Sequence, residues 1–422
     1  MARRGEVGRA ALVEQGQSGW LCGTGSFFLR FASEVDRKFL LLLLRTSSLR
    51  DYLAGKAVGT TMVNLNHGIL KNAPLQIPPL AEQRRIVAKV DELMALCNKL
   101  EAARAAREAK RDRLTAASLA RLNAPDPETF HADAQFALEA LPILTKRADQ
   151  IKQLRQTIFN LAVRGRLVRQ HPKDEPVRVA LPTAAGRPAR MRLRRLQSDD
   201  VVPREAAVVR AELPVGWSVE NLGNLVDPVR TISYGVLVPG EDVSDGVPFV
   251  RAHDLALTSH PARPGKTISP EIEKAYARTR LRGGEILLCV VGSIGKLGIV
   301  PPSWAGANIA RAVARIVPIA PLSSGYLIIV LRGDTVQSYF REATRTLAQP
   351  TLNVGLIEQT PIPIPPLAEQ RRIVAKVDEL MVLCDRLEAS LASSDATRSR
   401  LLGALLAEAL APPGMSERQA AE

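Results

Sequence analysis

A glycine-rich turn in the second half of the chain carries two side chains that could bind a ligand. Residues 292–296, Gly-Ser-Ile-Gly-Lys, follow the apolar run 286–291, which predicts a buried strand that enters a tight turn. Glycine lets the backbone approach a ligand closely, so we expect this turn to present Ser293 and Lys296. Residues of similar chemistry lie in segments that we expect to be comparable loops: Tyr234, Arg251, His253, Asn308 and Arg311.

These seven residues are candidate DNA-binding residues, because their side chains are of the types that fix phosphates and hydrogen-bond base edges. Taken singly, each is also compatible with an ordinary surface residue or a satisfied polar one. The hypothesis therefore depends on the group and not on any one member.

Motifs for catalysis are missing from the sequence. Gly265-Lys266-Thr267 ends like a phosphate-binding P-loop, but His260 stands where that motif needs its first glycine. There is no HExxH, no GxSxG and no GxGxxG that opens a helix after a strand. The Asn-Pro-Pro or Asp-Pro-Pro plus aromatic loop, with which amino-methyltransferases hold a target base, is missing too. We predict no catalytic residue and no metal ligand.

An internal repeat indicates which elements position the candidate residues. Residues 78–101 return almost unchanged as residues 365–388, an offset of 287 positions (365 minus 78). The copies differ only at Ala95, Asn98 and Lys99, which become Val382, Asp385 and Arg386. Two equivalent helices that meet the same kind of surface are therefore expected.

Each copy is predicted to be a long helix with one apolar seam. Both open with Pro-Pro and a glutamate in the first turn, and we expect them to end near Leu122 and Leu410. A third amphipathic segment, from about Ala137 to Val168, could pair antiparallel with them; core helices of one ordinary bundle are the alternative. Alternating spacings of four and three predict a coiled-coil seam in each copy: Ile86, Val90, Leu93, Cys97 and Leu100, then Ile373, Val377, Leu380, Cys384 and Leu387.

The predicted fold class is α+β, with two globular mixed α/β domains joined by long antiparallel coiled-coil helices. Short β-prone runs at 246–250, 286–291 and 312–317 alternate with Gly- and Pro-rich turns in the second domain. The first domain is predicted to be partial, because no residue before about Phe39 finds a partner at the repeat offset. We place the segments at 1–77, 78–170, 171–210 (an arginine-rich linker), 211–364 and 365–411.

Charge and cysteine content limit the class of partner and compartment. A formal net charge of +14 and a pI near 10.0 favour a polyanion, and nucleic acid is the leading candidate. Four cysteines without a CxxC pair support neither a zinc ribbon nor a disulfide framework. We expect a cytoplasmic protein without a membrane contact, since no signal peptide or spanning run is present in the sequence.

Several sequence motifs together resemble those of the specificity subunit of type I restriction-modification systems. The repeated Pro-Pro-Leu-Ala-Glu-Gln-Arg-Arg-Ile-Val resembles the opening of its conserved helices, and residues 213–217, Leu-Pro-Val-Gly-Trp, resemble the opening of a recognition domain. Residues 247–251 and 292–296 look like its internal signatures, and residues 156–176 look like the end of its central conserved region. The resemblance covers about residues 39–410.

This resemblance implies a DNA-binding protein whose two target-recognition domains read the halves of a bipartite site, with the helices as a ruler. A helix of roughly 40 residues spans about 60 Å. Each helix copy would bind one modification subunit that uses S-adenosylmethionine, and restriction subunits would use ATP and Mg; this chain would hold none of these cofactors. The expected partner-binding residues are Gln83, Arg84, Val90, Leu93, Gln370, Arg371, Val377 and Leu380.

Residues 1–38 depart from the family pattern, because they contain neither a Leu-Pro-x-Gly-Trp opening nor the glycine turn. A shortened first domain, or a start that lies upstream, would explain this. Three alternatives stay open: a defective remnant of the subunit, a helical scaffold that binds two partner copies without DNA, and a nuclease or methyltransferase fused to a helical dimerisation module.

Overall fold

The computed structural model of this 422-residue chain describes residues 1–4, 6, 8–56, 65–123, 126, 128–176, 213–344 and 350–410. The chain divides into two compact units, Met1–Lys110 and Arg111–Glu422. The first long helix, α4 (Leu80–Asn123), begins in the first unit and ends in the second. Most of the linker predicted at 171–210 lies outside the described residues.

The described part of the first unit contains three short α-helices and the start of α4. They are α1 (Arg37–Leu44), α2 (Ser47–Lys56) and α3 (His67–Lys71). The side chain of Asp36 accepts from the backbone N–H groups of Lys38 and Phe39 and caps α1, while Asn66 caps α3 in the same way. The core of this unit consists of Phe27, Leu40, Leu44, Leu49, Leu53 and Leu65.

Three helices precede the sheets of the second unit: α5 (Phe130–Glu139), α6 (Leu141–Leu144) and α7 (Ala148–Val163). The prediction of one helix from about Ala137 to Val168 is wrong in its first half. Arg147 takes an extended conformation and separates α6 from α7, and Pro142 lies in the first turn of α6. The prediction of an amphipathic helix is confirmed for α7, which buries Ile151 and Ile158.

The described strands of the second unit form three small sheets. Strand β1 (Ser218–Asn221) pairs with β9 (Pro361–Ile364). A four-stranded sheet has the order β2-β8-β5-β6, and a three-stranded sheet has the order β4-β3-β7. Their strands are β2 (Ser233–Tyr234), β3 (Val247–Val250), β4 (Lys266–Ile268), β5 (Ile286–Cys289), β6 (Leu297–Ile299), β7 (Asn308–Ile309) and β8 (Val313–Ile316). The three predicted β-prone runs are confirmed as β3, β5 and β8.

The remaining helices carry the C-terminal part of the second unit. They are α8 (Pro270–Ala275), α9 (Ser324–Arg332), α10 (Asp334–Thr344), α11 (Val354–Glu358) and α12 (Leu367–Leu410). The unit's main core joins α7, the larger sheet and helices α9 to α12. The mixed α+β fold class and the two long helices are thus confirmed.

Helix α7 packs antiparallel against α12. Arg155 donates to Asp385 at 2.7 Å and to Glu388 at 2.8 Å, whereas Asp174, farther along the chain, accepts from Arg372 near the start of α12. Residue numbers therefore rise along α7 and the segment after it while they fall along the facing part of α12. This confirms that the third amphipathic segment pairs antiparallel with a long helix.

The repeat seen in the sequence is also a structural repeat. At the same offset of 287, the starts of α1, α2, α3 and α4 correspond to the starts of α9, α10, α11 and α12. The correspondence reaches back to the caps, since Asp36 matches Ser323, which caps α9. The structural correspondence therefore begins at the cap, just before Phe39, because aspartate and serine share the side-chain chemistry that capping needs.

Candidate nucleic-acid interface

The candidate site is built where strands of two sheets end together. Strands β3 and β7 are parallel, with Val250 opposite Ile309, and the N–H of Ala310 donates to the carbonyl of Val250 at 2.9 Å. Arg251 directly follows Val250 and Arg311 directly follows Ala310, so both arginines lie just beyond this hydrogen bond. In the neighbouring sheet, the N–H of Val290 donates to the carbonyl of Ala312 at 2.9 Å, which brings the end of β5 to the same edge.

The predicted glycine turn joins β5 to β6. The N–H of Gly295 donates to the carbonyl of Cys289 at 3.0 Å and closes the turn, in which Gly292 and Gly295 have φ of +79° and +87°. Positive φ is a conformation that glycine adopts without strain. The turn leaves Ser293 and Lys296 exposed, as the sequence predicted.

Lys296 connects this turn to the segment after β3. Its Nζ donates to the carbonyl of Ala252 at 3.3 Å and to that of His253 at 3.2 Å. His253 contacts Asp254 at 3.1 Å, and the Nε of Arg251 lies 3.3 Å from the same carboxylate. These contacts hold Arg251, His253 and Lys296 together at one edge, with their charged groups still partly exposed.

Arg311 completes the group, and its approach depends on a glycine. Its N–H donates to the carbonyl of Val236 at 2.9 Å, next to Gly235. A Cβ at Gly235 would lie 1.7 Å from the carbonyl oxygen of Ile309, so only glycine fits there. Four of the seven predicted residues therefore lie at one edge of the sheets with basic side chains: Arg251, His253, Lys296 and Arg311. Ser293 lies in the adjoining turn.

Two of the seven residues lie in strands. Tyr234 lies in β2, and its hydroxyl donates to the carbonyl of Leu352 at 2.7 Å; burial raises its pKa to about 12. Asn308 lies in β7 and is fully buried, where its amide accepts from Thr279 and donates to the carbonyl of Tyr276. The expectation of loop positions is wrong for both, and the side chain of Asn308 does not reach the surface.

Two further residues lie at this edge that the sequence pattern did not predict there. Leu237 and Val238 follow Val236 directly and are 54% and 69% exposed. They are apolar side chains beside Arg311, of the kind that contacts thymine methyl groups in DNA complexes. Their signal in the sequence was weak, because an apolar run before Pro239 predicts a strand as readily as an exposed loop.

Residues of the Leu-Pro-Val-Gly-Trp motif at 213–217 pack where the end of α7 meets the start of α12. Gly165 has φ of +67°, and a Cβ there would lie 2.5 Å from Pro214 and 2.9 Å from Trp217. The indole Nε1 of Trp217 donates to Glu369 at 3.1 Å, and burial raises the pKa of that carboxyl. These residues fasten the end of α7 to the start of α12, so their role is packing.

Gln83 and Gln370, both predicted to bind a partner, are buried and hydrogen-bonded within the chain. The Oε1 of Gln370 accepts from the N–H of Ser323 at 2.9 Å, and its Nε2 donates to the carbonyls of Pro321 and Pro365. Gln83 makes the equivalent three bonds, to Asp36, Glu34 and Pro78. The prediction of partner contact is wrong for this pair, because every one of these polar atoms is already used.

The other predicted partner-binding residues differ in exposure. Val377 is 3% exposed and packs in the core of the second unit, so it is not available to a partner. Leu380 and Val90 are half-buried, whereas Leu93 is 49% exposed and Arg84 and Arg371 are exposed. Their partner contacts stay predictions. Of the two cysteines in the predicted seams, Cys384 is buried and Cys97 is exposed.

Within the described part of the chain, no group of three or more His, Cys, Asp or Glu side chains is placed to hold a metal ion. Among the same residues, no helix is long and apolar enough to cross a membrane.

Comparisons with known proteins bear on the whole chain. The family described as "Type I restriction modification DNA specificity domain" matches residues 1–108 and 214–392, more than half of the chain. The specificity subunit of the type I restriction enzyme EcoBI from Escherichia coli is 28% identical over 369 residues, 86% of this chain and 63% of that subunit. The EcoEI specificity subunit, also from Escherichia coli, is 23% identical over 428 residues, 95% of this chain and 70% of that subunit.

Among solved structures, a chain from a study of complex assembly and conformational transition of the type I R-M system superposes with a TM-score of 0.52. It is 23% identical, and the match covers 94% of this chain and 77% of that chain. This likeness concerns the fold. The chain thus spans less than two thirds of the length of the EcoBI subunit that it resembles.

Proposed function

Since this chain belongs to the family of type I restriction modification DNA specificity domains, we propose that it is the DNA-recognition subunit of a type I restriction-modification complex. It directs the methylation and cleavage subunits of that complex to a bipartite DNA site. The second unit reads one half of the site, and the segment before α4 belongs to the reader of the other half.

The observation that supports DNA recognition most directly is the cationic edge formed by Arg251, Lys296 and Arg311, with His253 beside them. Guanidinium and ammonium groups at a glycine turn can approach phosphates and the acceptors of guanine in a major groove. Apolar Leu237 and Val238 lie beside them and can contact a base methyl. The net charge of +14 supplies the long-range attraction to a polyanion.

Family members of this kind are generally non-catalytic, and we propose the same for this chain. Methyl transfer from S-adenosylmethionine belongs to the modification subunits, and ATP-driven translocation with Mg-dependent cleavage belongs to the restriction subunits. Two modification subunits bind, one at each copy of the repeated helix, through exposed residues such as Arg84 and Arg371. The near-identity of the two copies supports two equivalent contacts.

Co-expression with a modification subunit, mass determination and a methylation assay on DNA of mixed sequence test this proposal. A complex with two modification subunits that methylates one defined site is the expected result. A stable complex without methylation would indicate a defective specificity subunit. Methylation or cleavage by the purified chain alone would overturn the non-catalytic role. A complex with the partner that does not bind DNA would favour the scaffold alternative.

A further inference from the structure

The second unit carries a second set of exposed cations, at the end of β5 opposite to the glycine turn. Residues 278–282, Arg-Thr-Arg-Leu-Arg, lie just before β5, whereas the glycine turn follows that strand. The strand has 4 residues, a length of about 13 Å. These cations are therefore distinct from the cationic edge.

Exposed and buried side chains alternate along this segment. Thr279 is 0% and Leu281 is 1% exposed, so both side chains point into the unit. Arg278, Arg280 and Arg282 are exposed. Because alternate Cα atoms lie no more than about 7 Å apart, the three arginines form a closely spaced line of positive charge at the surface. We call these three residues the arginine row.

A buried arginine of β8 holds the backbone of the row. Arg315 is 2% exposed, and its guanidinium donates to the carbonyl of Arg278 at 2.6 Å and to that of Thr231 at 3.4 Å. Its Nε is buried and has no hydrogen-bond partner among the described residues. A buried cation with an unsatisfied donor lowers the stability of the folded state. Stability alone therefore does not explain this arginine, whereas a backbone that is fixed for an external ligand does.

Buried carboxylates hold the rest of the row. Glu285 is 2% exposed and accepts from the N–H groups of Arg282 and Gly283, at 2.7 Å each. Arg280 pairs with the buried Glu273, and its side chain is still 52% exposed. A surface that is ordered in this way loses less conformational entropy when a ligand binds.

The positive charge of the row is only partly neutralised. Among the residues that the structure describes, neither Arg278 nor Arg282 has an acidic partner in an ion pair. The carboxylates that support the row are buried beneath it and already accept hydrogen bonds. Guanidinium groups bind phosphate through parallel N–H bonds, and several of them in line suit a ligand with regularly repeated anions.

We propose that the arginine row binds the phosphate backbone of duplex DNA, outside the bases that the cationic edge contacts. A separation of about 13 Å corresponds to about four base pairs at 3.4 Å each. The row adds affinity and fixes the position of the protein on the duplex, but it does not read sequence, because every base pair carries the same phosphates. This role rests on the proposed function, since it requires that the second unit binds duplex DNA.

The test removes two charges from the full chain with Arg278→Gln/Arg282→Gln. Binding is titrated over a series of salt concentrations with a duplex of mixed sequence and with one that carries the methylated site. Both affinities are expected to fall by the same factor, about tenfold at low salt. The slope of log K against log salt should become less steep by about 1.8, which is about 0.9 for each lost phosphate contact.

Arg341→Gln/Lys376→Gln is the matched control. It removes the same charge from α10 and α12 of the same unit and is expected to change either affinity less than about twofold, because salt screens distant charges. Arg278→Lys/Arg282→Lys keeps the charge of the row and is expected to keep the salt slope.

Three results would overturn this role of the row. The first is an effect of Arg278→Gln/Arg282→Gln no larger than that of the control. The second is an effect on the methylated site alone, which would mean that the row reads bases. The third is unchanged DNA binding with loss of a co-expressed modification subunit, which would mean that the row binds an acidic protein surface. All three leave the proposed function standing, whereas failure of the unsubstituted chain to bind any duplex would overturn both.

Discussion

At the scale of single residues, side chains of the cationic edge of the second unit are held by hydrogen bonds within the chain and are also exposed to solvent. Lys296 donates to two backbone carbonyls of the segment that carries Arg251 and His253, and it is nevertheless exposed. A side chain held in this way loses less rotamer freedom when a phosphate or base binds. The positions of these charges are therefore fixed before DNA arrives.

Replacing Lys296 with alanine is expected to weaken binding to the specific DNA site by about 1 to 3 kcal/mol, since a base or phosphate contact and a support of Arg251 are both lost. Binding titrations with specific and unrelated duplexes measure the change. Lys376→Ala removes the same charge from α12, where Lys376 pairs with Glu379, and serves as the control. Equal effects of the two substitutions would remove Lys296 from the interface.

Tyr234 is expected to lower the stability of the folded state at alkaline pH. Burial raises its pKa to about 12 from an ordinary 10.0, so the folded state keeps the phenol proton after the unfolded chain has released it. Its contribution to the free energy of unfolding is complete below pH 10 and is lost as the pH rises toward 12. Chemical unfolding across this range should show a steeper loss for the native chain than for Tyr234→Phe, whereas parallel curves would contradict the assignment.

At the scale of elements, phrases that look like recognition signatures prove to be joints between helices. Gly165, Pro214 and Trp217 fasten the end of α7, and Glu369 ties the indole to α12. Gln83 and Gln370 tie the starts of the long helices to the loops that precede α1 and α9. Side-chain identity at such joints is dictated by close approach and by hydrogen bonds inside the chain.

Gly165→Ala is expected to lower the free energy of unfolding by about 2 to 4 kcal/mol, because the new Cβ meets Pro214 at 2.5 Å in a left-handed conformation. Gly216 has φ of +89°, and a Cβ added there would have no neighbour within 4 Å, so Gly216→Ala isolates the backbone strain of about 1 to 2 kcal/mol. Urea unfolding of both variants gives the difference. Equal losses would mean that no clash exists at Gly165.

Gln370→Ala is expected to cost about 1 to 3 kcal/mol of folding stability, since it leaves a buried N–H and two buried carbonyls without their partner. Arg371→Ala, at the exposed neighbouring position, should change stability by less than about 0.5 kcal/mol. Thermal or urea unfolding distinguishes the two. An unchanged stability of Gln370→Ala, combined with loss of the modification subunit, would restore Gln370 as a partner contact.

At the scale of the whole molecule, the positive charge and the cationic edge should act together on DNA. If Arg251, Lys296 and Arg311 each neutralise one phosphate, the slope of log K against log salt should be about −3 or steeper. Binding of the purified chain to duplex DNA over a series of salt concentrations measures this slope. A flat dependence would favour the scaffold alternative, in which the charge of +14 is incidental.

The sequence by itself determined the helical and strand framework of this protein. The long helices, their common offset and the three β-prone runs follow from periodicity and stop signals, which are local properties of the chain. The family also follows from the sequence, since its motifs are contiguous phrases. The break before α7 was missed because the extended conformation of Arg147 has no strong local signal.

Only the tertiary structure decided which polar residues are free to bind. Asn308, Gln83 and Gln370 have the same chemistry as exposed contact residues, but long-range hydrogen bonds consume their amides. The two apolar seams are nearly identical as sequences, yet the sequence does not show that α7 packs against the seam on α12. Burial depends on what packs against a residue from distant parts of the chain, and a one-dimensional pattern does not contain that information.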